Sequence, residues 1–174
     1  LSATVRDTAG NTANSSNVTV SVNNLYPLAN LVFIPQIEGR QVESADQMKI
    51  IIVNPQTLAR IEFTIQPDQE GKLRPSPTDV SGLTSGIYDI LIDSASCLKR
   101  KLSGVTLGPD IIITLPQIPI GNMNDDTIIN TLDWSLLNAQ WRTSNTQGDF
   151  NRDGIVNTLD WSFMNKNWGL SDAS

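Results

Sequence analysis

The stretch GDFNRDGIVNTLD, residues 148–160, spaces short oxygen-bearing side chains as a hard cation requires. With Asp149 as position 1, the residues Asp149, Asn151, Asp153, Asn157 and Asp160 fall at positions 1, 3, 5, 9 and 12, and Ile155 at position 7 can offer its backbone carbonyl. Ca²⁺ takes about six to eight oxygen ligands at ~2.3–2.6 Å, and this alternation turns successive side chains inward. Gly154 at position 6 permits the sharp turn, because glycine tolerates positive φ. The pattern recurs upstream at residues 121–133, GNMNDDTIINTLD. There Asn122, Asn124, Asp126, Asn130 and Asp133 take the same five positions, and Ile128 takes position 7. The echo continues as TLDWSLLNAQW against TLDWSFMNKNW, with Trp134 in register with Trp161 and Trp141 with Trp168. Such an internal repeat denotes two copies of one supersecondary unit.

The two loops differ in charge. The second carries Asp149, Asp153 and Asp160, whereas the first carries only Asp126 and Asp133, with Asn122 at position 1 and Thr127 where glycine is preferred. Fewer carboxylates attract a cation less, and a threonine held at positive φ costs about 1 kcal/mol or more. The expectation is therefore two Ca²⁺ sites, the second stronger than the first. Without the cation the facing carboxylates repel, so the repeat is expected to lose its order. A helix should follow each loop, over residues 131–141 and 158–168, with Thr131 and Thr158 as N-caps. Asp133 and Asp160 then lie in the first turn, where the helix dipole favours negative charge. Trp134, Leu137 and Trp141, and in the second copy Trp161, Met164 and Trp168, form apolar stripes extended by Leu132 and Leu159. These stripes are expected to be core, facing each other and a β scaffold.

The loop spacing is that of an EF-hand, except that aspartate replaces the glutamate of position 12. A duplicated calcium loop, each copy followed by one helix, with Ile129-Asn130 and Val156-Asn157 at positions 8 and 9, resembles a type I dockerin over about residues 121–170. The resemblance implies a module that folds around calcium and docks onto a cohesin-like domain in a cell-surface or polysaccharide-degrading assembly. It also implies partner contacts at loop positions 10 and 11, here Thr131, Leu132, Thr158 and Leu159. The Asp-Trp pairs and the tryptophan closing each helix depart from the best-known cellulosomal dockerins.

Composition narrows the function classes. The chain has 174 residues and a net charge of −6, which allows one or two domains and disfavours a nucleic-acid partner. It has no histidine, which removes the usual general base and any His-based zinc site. No nucleophile elbow or phosphate-binding glycine loop occurs, so no enzyme is expected. Cys97 is the single cysteine, expected as a buried, inert thiol. No stretch reads as a signal peptide or membrane span and the first residue is not Met, so the chain reads as a mature fragment or the end of something longer. The expected setting is extracellular, secreted or at the cell surface of a prokaryote.

The supporting elements are mostly strands. The overall expectation is a mainly β protein with a small α part: an antiparallel β-sandwich followed by two EF-hand-like loop–helix repeats packed as a helix pair. Residues 1–24 read as a β-hairpin, LSATVRD and NVTVSVNN about the turn-rich TAGNTANSS, and resemble the last strands of a bacterial immunoglobulin-like domain. Residues 25–120 read as the sandwich, with strands near 31–37, 49–53, 60–66, 86–93, 99–107 and 110–115. Within it LTSGIYDILIDSASCLKRKLSGVTL resembles carboxypeptidase-regulatory or transthyretin-like sandwiches, which are usually non-catalytic. Lys99, Arg100 and Lys101 read as a solvated face. PQIPIG, residues 116–121, joins the sandwich to the repeats at 121–170, and 171–174 form a tail. Two other functions fit the residues: self-assembly of identical subunits by strand complementation, and carbohydrate binding by the sandwich. The latter has only Tyr26, Phe33, Phe63 and Tyr88 outside the repeats to form an aromatic strip.

Overall fold

The computed structural model describes residues 4–6, 8–9, 12–14, 28 and 30–173. Among these the elements run in the order β1 (Thr4–Arg6), β2 (Thr12–Asn14), β3 (Val32–Ile37), β4 (Met48–Val53), β5 (Arg60–Ile65), β6 (Gly86–Ser94), β7 (Arg100–Leu107), β8 (Ile112–Ile118), α1 (Thr131–Ala139) and α2 (Thr158–Lys166). β6 shows why these residues make strands. Tyr88, Ile90 and Ile92 are buried, and the alternate residues Ile87, Asp89, Leu91 and Asp93 lie on the wetter face. β4 pairs antiparallel with it, setting Ile50 against Ile92 and Ile52 against Ile90, so two apolar stripes share one face. All four of these isoleucines are fully buried, each worth about 2 kcal/mol of apolar burial. The sheet order is β5-β4-β6-β7, with the half-buried β5 at one edge.

β3 and β8 form a second, two-stranded layer whose buried residues Phe33, Ile37, Ile113, Leu115 and Ile118 join the same core. The molecule is thus mainly β with two short helices, consistent with a β-sandwich. The wholly antiparallel expectation is corrected here, because β3 and β8 pair in parallel. Alternating patterns do not encode direction. A parallel pair needs a long crossover, and the whole four-stranded sheet supplies it. The register of this pair shifts between Ile34 and Gln36, where Pro35 has no N–H to give.

Three further expectations change. The hairpin forms, but β1 pairs with Thr12–Asn14, inside the stretch read as its turn; the expected partner NVTVSVNN and Tyr26 lie outside the described residues. The joining segment is not a plain linker: β8 runs through Pro116 to Ile118, and Ile120 is buried and bridged to Cys97. The helices are nine residues each and shorter than expected, and their N-caps are Asn130 and Asn157 rather than Thr131 and Thr158. Each asparagine side chain accepts from the backbone two residues on, and Asp133 and Asp160 complete capping boxes.

One core runs from the sheets into the repeats, because Ile129, Leu137, Phe150, Val156 and Met164 belong to the same buried cluster as the strand residues. The tryptophans do not. Trp134, Trp141 and Trp161 are half-buried and Trp168 is 41 % exposed. The stripes are a ring cluster at the surface rather than core. A nine-residue helix buries only Leu137 or Met164 and its aspartate, so the bulky rings are left at its flank.

Candidate functional site: two oxygen-lined loops on a β scaffold

Each loop is closed by hydrogen bonds that follow from its spacing. In the second, Asp149 accepts from the N–H groups of Asp153 (3.1 Å) and Gly154 (2.9 Å). Gly154 has φ +96°, the left-handed conformation that position 6 demands of glycine. Asp153 gathers the middle of the loop: its Oδ2 accepts from Asn151 Nδ2 at 2.9 Å and Asn157 Nδ2 at 3.3 Å, and its Oδ1 accepts from the N–H of Ile155 at 3.1 Å. The Asn151 bond leads the groups that hold the Asp153 carboxyl below its ordinary range. Asn157 Nδ2 also donates to the Ile155 carbonyl at 3.1 Å. Asp160 is fully buried and accepts from the N–H groups of Phe150 (2.7 Å), Asn151 (3.3 Å) and Asn157 (2.8 Å).

The first loop repeats the distal half of this arrangement. Asp133 is fully buried and accepts from the N–H groups of Met123 (2.7 Å), Asn124 (3.1 Å) and Asn130 (2.8 Å). Asn124 Nδ2 donates to Asp126 Oδ2 at 2.7 Å, Asp126 Oδ1 accepts from Ile128 N–H at 2.8 Å, and Asn130 Nδ2 lies 3.4 Å from the Ile128 carbonyl. The proximal half differs. Thr127 is not among the residues at positive φ, so the expected strain there is absent; Asp125 and its counterpart Arg152, both at position 4, take the left-handed conformation instead. Asn122 accepts nothing. Its Nδ2 donates to the Asp126 carbonyl at 2.6 Å and its Oδ1 is a buried oxygen without a partner.

The expected ligand residues of each loop thus lie in one hydrogen-bonded turn. Among the described residues no three His, Cys, Asp or Glu side chains gather as a group able to hold a metal. A cation would therefore depend on amide and carbonyl oxygens as much as on carboxylates. That donor set is hard oxygen throughout, which suits Ca²⁺. The buried, unpaired Asn122 Oδ1 is the kind of group such a cation satisfies, and the amide hydrogens of Asn151 and Asn157 converge on Asp153 Oδ2 as a positive partner would.

The expected contact residues are presented to solvent. Thr131 and Thr158 are exposed, as are Leu132 (60 %) and Leu159 (53 %), each at the start of its helix. Beside them the rings form a chain. Trp134 and Trp161 meet at 4.4 Å between centroids, and each is met edge-on by Trp141 or Trp168 at 5.9 and 5.8 Å. This ring contact is where α1 and α2 meet.

Sequence reasoning missed the polar clamps that fix the second repeat to the sheets. Arg40 grips buried Asp46 with both terminal nitrogens at 2.6 Å; Arg152, from the loop, reaches Asp46 at 2.6 Å and also pairs with Glu43. Buried Glu38 receives Lys166 at 2.5 Å and Asn167 from the end of α2. The run Lys99–Lys101, read as a solvated face, is also structural. Lys99 N–H donates to Asp172 at 2.8 Å, Arg100 reaches the Ser171 carbonyl at 3.0 Å, and Lys101 pairs with Asp89 at 3.2 Å. Isolated charges in loops carry no sequence signal for such pairings. Cys97 is buried, and burial pushes its thiol up to about 12, leaving it inert.

No family model and no curated protein matches the chain. Solved structures do. A chain of a type II cohesin–X–dockerin complex from Acetivibrio cellulolyticus, a C-terminal interface mutant, matches with a TM-score of 0.60 and 17 % identity, over 83 % of this chain and 97 % of that one. A chain of the N-terminal interface mutant of that type of complex matches at 0.58 and 18 %, over 82 % and 97 %. The fold is shared with these chains. The type I dockerin reading of residues 121–170 is corrected by this finding: the neighbours come from type II cohesin complexes, and the likeness covers most of the chain rather than its last third. The carboxypeptidase-regulatory, transthyretin-like and immunoglobulin-like resemblances of the remainder fall with it. The function built on a dockerin module is withdrawn likewise, and neither alternative replaces it. Phe33 and Tyr88 are buried and Phe63 is half-buried, so no aromatic strip for sugar exists among the described residues. No described helix is long and apolar enough to cross a membrane.

Proposed function

We propose that this chain is a non-catalytic protein-attachment module of an extracellular, cell-surface assembly of the cohesin–dockerin kind. The observation that carries the proposal is the shared fold over 83 % of this chain with a chain of a type II cohesin–X–dockerin complex. The exposed Thr131, Leu132, Thr158 and Leu159 are the contact residues of the proposed interface. Apolar side chains held at helix starts by capping boxes lose little entropy on docking, which favours their use as anchors.

Calcium belongs to the same proposal. Asp149, Asn151, Asp153, Asn157, Asp160 and the Ile155 carbonyl would hold it in the second loop, in EF-hand-like fashion. Asn122, Asn124, Asp126, Asn130, Asp133 and the Ile128 carbonyl would hold it in the first. The cation supplies the positive charge that lets these oxygens face one another. The chain's own part is to fix the loop ends to the helix starts through Asp133 and Asp160, so that docking residues and ligands move as one.

The test is calorimetric titration of the chain, in millimolar calcium, against purified cohesin domains and dockerin-bearing domains of type II complexes. Saturable binding to one of them, with Kd of about 1 μM or tighter, is the expected result for a specific interface. Failure to bind any member of either class overturns the proposal.

A further inference from the structure

The two loops solve the problem of position 1 differently. In the second, Asp149 is held by its own loop, through the N–H groups of Asp153 and Gly154. In the first, the β6–β7 turn does the holding. The N–H groups of Gly121 and Asn122 both donate to the Ser96 carbonyl, at 2.8 and 3.1 Å, and Ile120 is bridged to Cys97. Asn122 Nδ2 points between the Cys97 carbonyl at 3.4 Å and the Asp126 carbonyl at 2.6 Å. Both neighbours are acceptors, so turning the amide over would set oxygen against oxygen; the orientation is fixed by chemistry. The remaining end, Oδ1, is buried, lacks a partner, and belongs to a residue only 2 % exposed. A buried carbonyl-type oxygen without a donor costs about 1–3 kcal/mol unless something positive faces it.

We propose that the β-sandwich completes the first cation site. The Ser96–Cys97 turn holds the Asn122 carboxamide so that its oxygen, rather than a carboxylate, serves a divalent cation with Asp126 and Asp133. The inference rests on the calcium reading above and deepens it, because it assigns the first loop a positioning element outside the repeat. An aspartate at position 122 is then a poorer ligand than asparagine despite its charge. It has no hydrogens for the Cys97 and Asp126 carbonyls, and it is pushed away from both.

The test counts calcium equivalents on the full chain by competition with a chromophoric chelator, together with thermal unfolding in excess chelator. The wild type should bind two equivalents. Asn122→Leu should bind one, and Asn122→Asp, which keeps the size of the side chain should the leucine variant not fold, should bind its first-loop equivalent at least tenfold more weakly than the wild type. Zero equivalents on the wild type removes the calcium reading altogether. One equivalent removes this inference alone and leaves a bound water as the partner of Asn122. Two equivalents on Asn122→Leu, or first-loop binding in Asn122→Asp as tight as in the wild type, also overturns it.

Discussion

Asp46 offers the sharpest test of how the second repeat is fixed to the sheets. Its side chain is 5 % exposed and takes four charge-assisted or backbone bonds: two from Arg40, one from Arg152 and one from the Glu43 N–H at 2.8 Å. The Arg40 side chain is itself only 10 % exposed. Asp46→Ala strands that guanidinium, and breaking a buried pair from one side costs about 3–5 kcal/mol. For a chain of this length 1 kcal/mol moves Tm by about 2–4 °C, so the expected loss is about 6–20 °C by calorimetry. Replacing both partners removes the stranded charge, so Arg40→Met with Asp46→Leu should recover most of the loss. The pH dependence has a definite sign. Burial pushes the Asp46 carboxyl up, but the Arg40 bonds, the Glu43 N–H and the Arg152 charge outweigh it, and the carboxyl lies below its ordinary value. A depressed folded pKa gives stability that is fully present above the unfolded value near 4 and is lost as pH falls through the lower folded value. The gap between wild type and Asp46→Asn in urea should therefore be widest at pH 6–7 and shrink by pH 3. A single variant within about 1 kcal/mol of wild type, a double variant as unstable as the single, or a gap that widens in acid would refute the reasoning.

Other outcomes follow from single contacts. Gly39 has φ +80°, and a Cβ there would stand 2.5 Å from Cε1 and Cζ of Phe163 on α2. Gly39→Ala should cost about 1–2 kcal/mol of backbone strain, plus the displacement of that ring, read as a lower urea midpoint and altered near-ultraviolet signal. Calcium should raise Tm with the logarithm of its concentration, by about 2.7 kcal/mol of stability at one hundred times Kd; identical melting in calcium and chelator would count against both loops. Leu132→Ser and Leu159→Ser, at exposed positions, should leave Tm within about 2 °C while weakening partner binding at least tenfold. Unchanged binding by both variants would move the interface elsewhere.

Much of the scaffold could be read from alternation alone. β3 to β8 fall where short apolar–polar runs end in Asn-Pro, Gly-Pro or aspartate turns, because side-chain period and turn chemistry are local properties. What alternation lacks is direction and partner, hence the parallel β3–β8 pair and the hairpin's displaced second strand. The caps illustrate a finer limit. Asn130-Thr131 and Asn157-Thr158 each offer two good capping residues in sequence, and only the capping box with Asp133 or Asp160, three residues on, selects the asparagine. The tryptophans were misplaced for a geometric reason. Their spacing fits one helical face, but α1 and α2 end before Trp141 and Trp168, so the second ring of each pair leaves the stripe and packs edge-on against the first. The clamps at Glu38 and Asp46 join residues more than a hundred positions apart, a pairing that no local pattern contains.

The repeats themselves show how neighbours rewrite a shared sequence. In each copy, position 8 pairs with the chain just beyond the other helix: Val156 with Arg142 and Thr143, Ile129 with Gly169 and Leu170. From positions 7 to 12 the two copies are therefore interchangeable, and their hydrogen bonds correspond. Positions 1 to 6 are not, because each entry strand meets a different surface. The first emerges from β8 onto the Ser96–Cys97 turn, which takes over the anchoring that a carboxylate performs elsewhere and tolerates asparagine. The second emerges from the connection after α1 with no sheet beneath it, so it needs aspartate at position 1 and glycine at position 6 to close on itself. Arg152 then carries that self-closed loop to Asp46 from outside. The degraded look of the first loop is thus the mark of a scaffold bearing part of its load.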